Sequence, residues 1–257
     1  MLRDMNAAAE GEPPCLLISL ANKIGNTIDL VLVSQSPRRR EILDMMGLSG
    51  KFTSRPPHLD ETILQEKLVN SKLDPREYTL RLAEAKAHSL AVEHTPVKTT
   101  FYLGSDTIVE IDNEILEKPR DEDQAKDMLR RLSGREHHVH TGVAIYKKPA
   151  NGQVVALVRS FVDTANVSCY DRQKRPKRKY SQLCFSFQVT FAALSEQDIC
   201  AYVDSGEPMD KAGSYGIQGI GGQMVRSVTG DFFTVMGLPM HLTSRTLALA
   251  IQEEMSK

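Results

Sequence analysis

Residues 30–43 read Leu30-Val31-Leu32-Val33-Ser34-Gln35-Ser36-Pro37-Arg38-Arg39-Arg40-Glu41-Ile42-Leu43. The first four residues are aliphatic, which predicts a short buried strand. Ser36 suits the position before a helix and Pro37 suits its first turn. An apolar stripe then continues along the helix until Gly47, a residue type that commonly ends helices. The stretch therefore predicts a strand, a tight turn and a helix, the unit from which α/β folds are built.

The predicted helix begins with three consecutive arginines, Arg38, Arg39 and Arg40. A helix N-terminus carries roughly half a positive elementary charge, so cations there are unfavourable unless an anion binds beside them. Together with the Ser36 hydroxyl, the free N–H groups and the guanidinium forks match a phosphate site. The alternative is that the arginines extend into water. The pattern favours an anion-binding site at this turn.

Helical and strand patterns alternate on both sides of this unit. We expect helices at 77–93, 121–132, 195–203 and from 239 onward, and strands at 101–111, 137–146 and 153–162. Asp112-Asn113 and Asn151-Gly152 supply turns. We expect a disordered leader at 1–15 and an amphipathic helix at 16–28, so that 16–257 form a single α/β domain.

The composition is that of an ordinary globular chain. Its 257 residues are 41% apolar, and 32 Lys and Arg balance 33 Asp and Glu. This balance gives no global field that would attract nucleic acid or an anionic membrane, so an anionic ligand must be bound locally. The four cysteines lack zinc or disulfide spacing, and no apolar run reaches the roughly 20 residues of a membrane span. We expect a cytoplasmic protein with neither nucleic acid nor a membrane as partner.

Two acids and a lysine stand out. Asp106 lies inside an apolar strand, where an ionised carboxylate is costly to bury without a metal or a charged partner; a structural Asp that caps a turn is the alternative. Glu61, on a predicted loop, is a second candidate acid or else a solvated one. Lys86 shares a helix face with Leu82 and Leu90 and should point inward. Acids in such apolar strands usually hold metals or protons, which makes Asp106 a candidate for chemistry.

Other motifs carry less chemistry. Lys118 and Lys211 are candidate site residues only if they lie near the arginines, since each considered alone would be an ordinary surface lysine. The Gly-rich run 213–222 follows a helix and does not match GxGxxG, and no Walker lysine motif occurs, which disfavours Rossmann and P-loop folds. Of the three histidines in 137–140, only His138 and His140 share a strand face, with no acid at ligand spacing; we expect them to be structural.

Six segments resemble, in this order, the signature of the Maf family. They are 34–43, 81–87, Gly104-Ser105-Asp106-Thr107, Leu116-Glu117-Lys118-Pro119, 128–134 and 206–219, within a match over residues 28–250. The resemblance implies an elongated, two-lobed α/β fold with a mixed sheet flanked by helices, related to the inosine-triphosphate pyrophosphatases (Maf/Ham1). It also implies a nucleoside-triphosphate pyrophosphatase, a hydrolase of acid anhydrides in which water attacks the α-phosphorus. A divalent cation, usually Mg²⁺ with Mn²⁺ as the alternative, is implied as cofactor.

The resemblance also suggests roles for individual residues. Asp106 matches the family's proton acceptor, Glu61 matches a carboxylate that supports catalysis, and both are candidate metal ligands. The predicted substrate-binding set is Ser36, Arg38, Arg39, Lys86, Thr107, Lys118, Lys211 and Gln218. Fixed cations of this kind can stabilise the negative charge that spreads over a triphosphate in the transition state.

Three positions resemble the family members that act on dTTP and UTP: Arg38, Thr107 and Gln218. We therefore predict a pyrimidine substrate, with modified pyrimidine nucleotides included. A nucleotide-binding regulator of cell division or septum formation, without turnover, is the alternative, although it would have no need of Asp106. A nucleic-acid binder that uses the basic tract 172–179 is a third interpretation. The expected partners are a small-molecule nucleotide and, in a homodimer, a second copy of the chain.

Residues 167–188 break the pattern of the rest of the chain. They hold six Lys and Arg against one Asp, and the resemblance implies that Asn166 should lead almost directly into Val189. We predict an insertion that the functional fold does not need. Its ends, Val167-Ser168 and Phe187-Gln188, can be encoded like splice donor and acceptor sites, which suggests a translated intron. A basic surface loop is the alternative, because long insertions cost little stability.

Overall fold

A computed structural model of the chain describes residues 17–150, 152, 155–166 and 189–256. The predicted leader and the segment 167–188 lie outside the described residues. The described strands are β1 (Asp29–Val33), β2 (Thr53–Arg55), β3 (Thr100–Ile111), β4 (Glu114–Leu116), β5 (Glu136–Lys148), β6 (Ala156–Asn166), β7 (Val189–Phe191) and β8 (Val225–Val228). The helices are α1 (Pro37–Leu43), α2 (Glu61–Asn70), α3 (Pro75–Glu93), α4 (Glu122–Leu132), α5 (Glu196–Asp204), α6 (Phe232–Met236) and α7 (Met240–Met255).

The strands form one mixed sheet in the order β2-β1-β3-β5-β7-β8, with β4 also paired to β3 and β6 to β5. β1 runs parallel to β2 and β3, and the other pairings are antiparallel. One edge of β3 pairs with β1 as far as Gly104 and with β4 from Val109 onward. Between these points, within the described residues, Ser105–Ile108 pair with no strand on that edge. The sheet therefore opens at Asp106, beside the carboxyl end of β1.

The two largest hydrophobic cores lie at opposite ends of the long strands β3 and β5. The first contains Leu103 and Ile145 of these strands, packed with Ile42 of α1 and Leu247 of α7. The second contains Val109 and Val139, packed with residues of α4 and α5. The predicted α/β class with a mixed sheet flanked by helices is confirmed, and the gap in strand pairing lies between the two cores.

Two expectations about local structure are wrong. Residues 16–28 do not form one helix: the described part makes two 3-10 turns, Leu17–Ser19 and Ala21–Lys23, before Gly25 adopts a positive φ of 86°. Glu61 does not lie on a loop but is the first residue of α2, where the side chain of Asp60 accepts a hydrogen bond from the Ile63 N–H. None of the residues of α2 is buried, so the apolar periodicity that reveals helices in a sequence is missing there.

No helix in the described part of the chain combines the length and apolar character that crossing a bilayer would require.

Candidate functional site

Lys86 reaches the sheet because α3 packs unusually close to it. A Cβ atom on Gly104 of β3 would lie 2.4 Å from the Ala83 carbonyl oxygen, and one on Gly142 of β5 would lie 2.7 Å from the Thr79 carbonyl oxygen. Only glycine permits this approach of two backbones. The inward orientation predicted for Lys86 is confirmed, since only 7% of its side chain is exposed.

The Lys86 ammonium joins the two predicted acids. Its Nζ lies 2.6 Å from Asp106 Oδ1 and 2.7 Å from Glu61 Oε2. Burial alone would lower the pKa of Lys86, but the two carboxylates outweigh burial and raise it. Burial would raise the pKa of Glu61, but Lys86 in particular outweighs it and the net pKa is lowered. The site therefore holds a charged lysine between two carboxylates.

The second carboxylate oxygen of Asp106 is left open. Oδ2 is buried and has no hydrogen-bond partner, an arrangement that costs free energy unless another group binds there. Among the described residues, no three His, Cys, Asp or Glu side chains converge as a metal site. Mg²⁺, however, is commonly held by one or two carboxylates together with substrate phosphates and water. Asp106 and Glu61 fit a cation of that kind.

All ten predicted site residues line one cavity of about 250 Å³ at the gap in the sheet. They are Ser36, Arg38, Arg39, Glu61, Lys86, Asp106, Thr107, Lys118, Lys211 and Gln218. The fold brings them together from six separate parts of the chain. Their individual roles remain predictions.

The two arginines differ in what they contact. Arg38 donates to Asp210 Oδ2 at 2.8 Å and to the Asp210 carbonyl oxygen at 3.1 Å. Arg39 donates from Nε to the Gly237 carbonyl oxygen, from Nη1 to Ser34 Oγ and from Nη2 to Thr107 Oγ1. Arg38 is thus held by a single exposed acid, whereas Arg39 is fixed on three sides. Ser36 occupies the predicted N-cap position, but its side chain makes no capping hydrogen bond.

Lys118, Lys211 and Gln218 also line the cavity. Lys118 and Gln218 are exposed at the cavity. Lys211 Nζ donates to the Glu207 carbonyl oxygen and to Asp210 Oδ1, both at 2.6 Å. Lys211 is therefore already paired within its own loop, unlike the other two.

The Gly-rich run helps to fold a loop. The Glu207 carboxylate accepts hydrogen bonds from the backbone N–H groups of Ile220 and Gly221 and from the Tyr202 hydroxyl. A Cβ on Gly216 would lie 2.5 Å from Lys211 Cε, so glycine there leaves room for the lysine side chain. The loop thereby presents Lys211 and Gln218 to the cavity.

Of the three histidines in 137–140, His140 has an acidic partner. His140 Nε2 lies 2.6 Å from Glu110 Oε2, and its Nδ1 lies 2.9 Å from Thr164 Oγ1. Glu110 comes from the neighbouring strand β3, where spacing along β5 could not reveal it. His137 is buried against Tyr215, and burial lowers its pKa to about 3. Both contacts are consistent with a structural role.

Sequence reasoning missed Glu117. Its carboxylate lines the cavity and accepts a hydrogen bond from the Tyr78 hydroxyl at 2.7 Å. Burial, with the nearby charge of Asp106, raises the pKa of Glu117 to about 7. Glu117 adjoins Lys118 in the bend 116–119, so the motif contained the signal, but nothing in the sequence showed which neighbour would be buried. Asp210, the partner of Arg38, was missed as well.

Comparison with known proteins identifies the family. A family model described as Maf-like protein matches residues 29–250. A dTTP/UTP pyrophosphatase of Shewanella oneidensis is 41% identical over 226 residues, 87% of this chain and 98% of that protein. The proteins of the same name from Bacillus velezensis and Clostridioides difficile are 39% identical over 218 residues (85% of this chain, 94% of that protein) and 37% identical over 213 residues (83% and 90%).

Among solved structures, a HAM1 protein from Coxiella burnetii matches at 16% identity with a TM-score of 0.30, over 60% of this chain and 78% of that one. This likeness is too low to support an argument. The family model and the relatives, in contrast, each span more than four-fifths of the chain. This chain therefore belongs to the Maf family.

Proposed function

We propose that this protein is a nucleoside-triphosphate pyrophosphatase that hydrolyses dTTP and UTP to the monophosphate and pyrophosphate. The relatives named above act on these nucleotides by name. The observation that carries the proposal is the buried, unpartnered Oδ2 of Asp106, in a cavity that also holds Arg38 and Arg39. A carboxylate oxygen that is open beside a group of cations suits the activation of water next to a polyphosphate.

In the proposed reaction, water attacks the α-phosphorus, and the bond from that phosphorus to the oxygen that bridges it to the β-phosphorus breaks. Asp106 takes the proton from the attacking water. Lys86 favours the ionised form of Glu61 by lowering its pKa, and its two short contacts fix the positions of Asp106 and Glu61. A divalent cation, which Asp106 and Glu61 would hold, would supply positive charge to the phosphate oxygens.

The cations on the cavity walls stabilise the leaving pyrophosphate. Arg39, already fixed on three sides, has one N–H left on each terminal nitrogen for a phosphate oxygen. Arg38 can exchange Asp210 for a phosphate, because Asp210 is largely exposed and loses little on returning to water. Lys118 is exposed at the cavity and makes a third positive contact. Ser36 and Lys211 complete the phosphate environment.

We assign base selection to Gln218. The side-chain amide of Gln218 is exposed at the cavity and offers both a donor and an acceptor, as the edge of a uracil or thymine ring requires. Purines are larger and present a different pattern. We propose that pyrimidine nucleotides, canonical or modified, are preferred, and that Mg²⁺ rather than Mn²⁺ is the usual cation.

The test is a product assay over the common and modified nucleoside triphosphates, with Mg²⁺, Mn²⁺ or EDTA. Pyrophosphate and a monophosphate from dTTP or UTP, dependent on the cation, are expected. Orthophosphate with a diphosphate would overturn the proposed chemistry. Tight nucleotide binding without any product would favour the alternative, a regulator of cell division that binds without turnover. A cytoplasmic location and a homodimer stay predictions.

A further inference from the structure

The hydrogen bonds behind Arg39 have a determined direction. The Thr141 hydroxyl is fully buried and donates its only proton to the Thr234 carbonyl oxygen at 2.8 Å. Thr141 Oγ1 also lies 3.0 Å from Thr107 Oγ1. Because Thr141 has no second proton, it must be the acceptor in that contact, and Thr107 must be the donor.

The same reasoning leaves Thr107 without a proton to offer a substrate. Its hydroxyl oxygen accepts from Arg39 Nη2 at 3.1 Å, and its proton is directed at Thr141. The chain of donors therefore runs from Arg39 through Thr107 and Thr141 to the Thr234 carbonyl group. Hydrogen bonds that follow one another in this way polarise each other, and each strengthens its neighbour.

We propose that Thr107 and Thr141 are positioning residues that hold Arg39 against the polyphosphate, and that Thr107 does not donate a hydrogen bond to the base. This rests on the proposed pyrophosphatase function and assigns Thr141 a part in it. Thr141 lies on β5 with Val139 and Val143 at the neighbouring positions on the same face, so its hydroxyl lies between two apolar side chains. We call the chain of hydrogen bonds from Arg39 to the Thr234 carbonyl group the relay. It positions the arginine that contacts the phosphates, so its loss should affect nucleotides of every base equally.

Isosteric variants test the relay. Thr141→Val removes the hydroxyl and should lower kcat/KM about 3- to 10-fold, the loss expected for one hydrogen bond. Thr141→Ser keeps the hydroxyl and should stay within about twofold of the parent protein. Thr79→Val is the matched control, because Thr79 is equally buried but donates to the Pro75 carbonyl oxygen, outside the cavity. Circular dichroism checks that each variant folds.

Two comparisons separate positioning from other roles. In an Arg39→Ala background, or in Arg39→Lys should the alanine variant not fold, Thr141→Val should cause no further loss of kcat/KM. The ratio of kcat/KM between dTTP and GTP should be unchanged by Thr107→Val. The relay would be overturned if Thr141→Val lowered kcat/KM by the same factor in the Arg39 variant as in the parent protein. A changed ratio of kcat/KM between dTTP and GTP in Thr107→Val would overturn it as well.

Binding of tripolyphosphate in EDTA, measured by calorimetry, provides a readout that does not depend on turnover. Thr141→Val should weaken this binding and Thr79→Val should not. A parent protein that releases no pyrophosphate from any nucleotide contradicts the proposed function alone, and the calorimetric comparison still decides the relay. Equal binding by the parent and Thr141→Val would overturn it.

Discussion

Deleting residues 167–188 and joining Asn166 to Val189 should leave the sheet intact. Asn166, the last residue of β6, lies opposite His138 of β5, and Val189, the first residue of β7, lies opposite His137. These partners are consecutive on β5. Asn166 and Val189 thus occupy neighbouring positions along the strand direction, where each residue advances by roughly 3.3 Å.

Both strands also lie on the same edge of β5. The β3–β4 hairpin closes on the pair Ile111 and Glu114, so the backbone N–H and C=O groups of Ile111 point toward β4. Those of the preceding residue, Glu110, then point toward β5. In β5 the even-numbered residues near His138 then face β3, and the odd-numbered ones face β6. The Phe191 N–H donates to the Arg135 carbonyl oxygen, which places β7 on the β6 edge.

The expected change in the free energy of unfolding follows from the entropy lost when the ends of the segment are held together. For 22 residues treated as a free chain, the length-dependent cost of bringing the ends together is about 2.7 kcal/mol, from (3/2)RT ln n. The deletion should therefore leave the free energy of unfolding unchanged or raise it by up to about this amount. Urea unfolding followed by circular dichroism measures the change, and the product assay should show activity at least equal to that of the parent.

A deletion of 168–188, one residue shorter, is the matched control. It retains Val167, which shifts the register by one and turns Phe191, only 1% exposed, away from the core unless a bulge forms. It should be clearly less stable than the 167–188 deletion. The reverse order of stability, or loss of folding in the 167–188 deletion, would show that β6 and β7 are not one interrupted strand. Genomic sequence at both borders tests the intron origin separately.

Three further predictions concern single residues. Asp106→Asn should keep the fold and nucleotide binding but lower kcat by about two orders of magnitude or more; near-normal turnover would make Glu61 the first candidate for the base. The raised pKa of Glu117 means that the folded state binds this proton more tightly than the unfolded state, so the parent protein should lose stability as pH rises from about 4.5 to 7. Glu117→Gln, measured without metal, should abolish this loss. An unchanged pH profile would contradict it. Lys148→Met should lower the free energy of unfolding by about 3 kcal/mol, because buried Lys148 donates to the carbonyl oxygens of Ala91, Val92 and His94 at the end of α3. The exposed Lys98→Met, which loses one such bond, is its control, and equal effects would refute the capping role.

Local patterns predicted most of the fold because the causes are local. The unit of β1 and α1 follows from an apolar run, a Ser-Pro helix start and Gly47 within a few residues of one another. The inward orientation of Lys86 follows from helical spacing alone. The helix α2 was missed because it has no buried face, so its sequence shows no helical period of apolar residues.

The residues of the candidate site could be gathered from the sequence, since charged side chains in apolar strands and at a helix start stand out against their surroundings. Their partners could not. Arg38 and Asp210 are 172 residues apart, and Thr107 and Thr141 are 34 apart. Spacing along the chain carries no information about such pairs.

The sequence by itself determined the α/β class, the family resemblance and the set of charged residues, because these depend on residue type and local period. The tertiary structure alone decided how those residues act on one another. The close approach of α3 through Gly104 and Gly142 places Lys86 between two carboxylates. Burial raises the pKa of Glu117, and the pairing of β3 with β5 aligns two threonine hydroxyls behind Arg39. Charge, burial and hydrogen-bond direction depend on distances that exist only once the chain has folded.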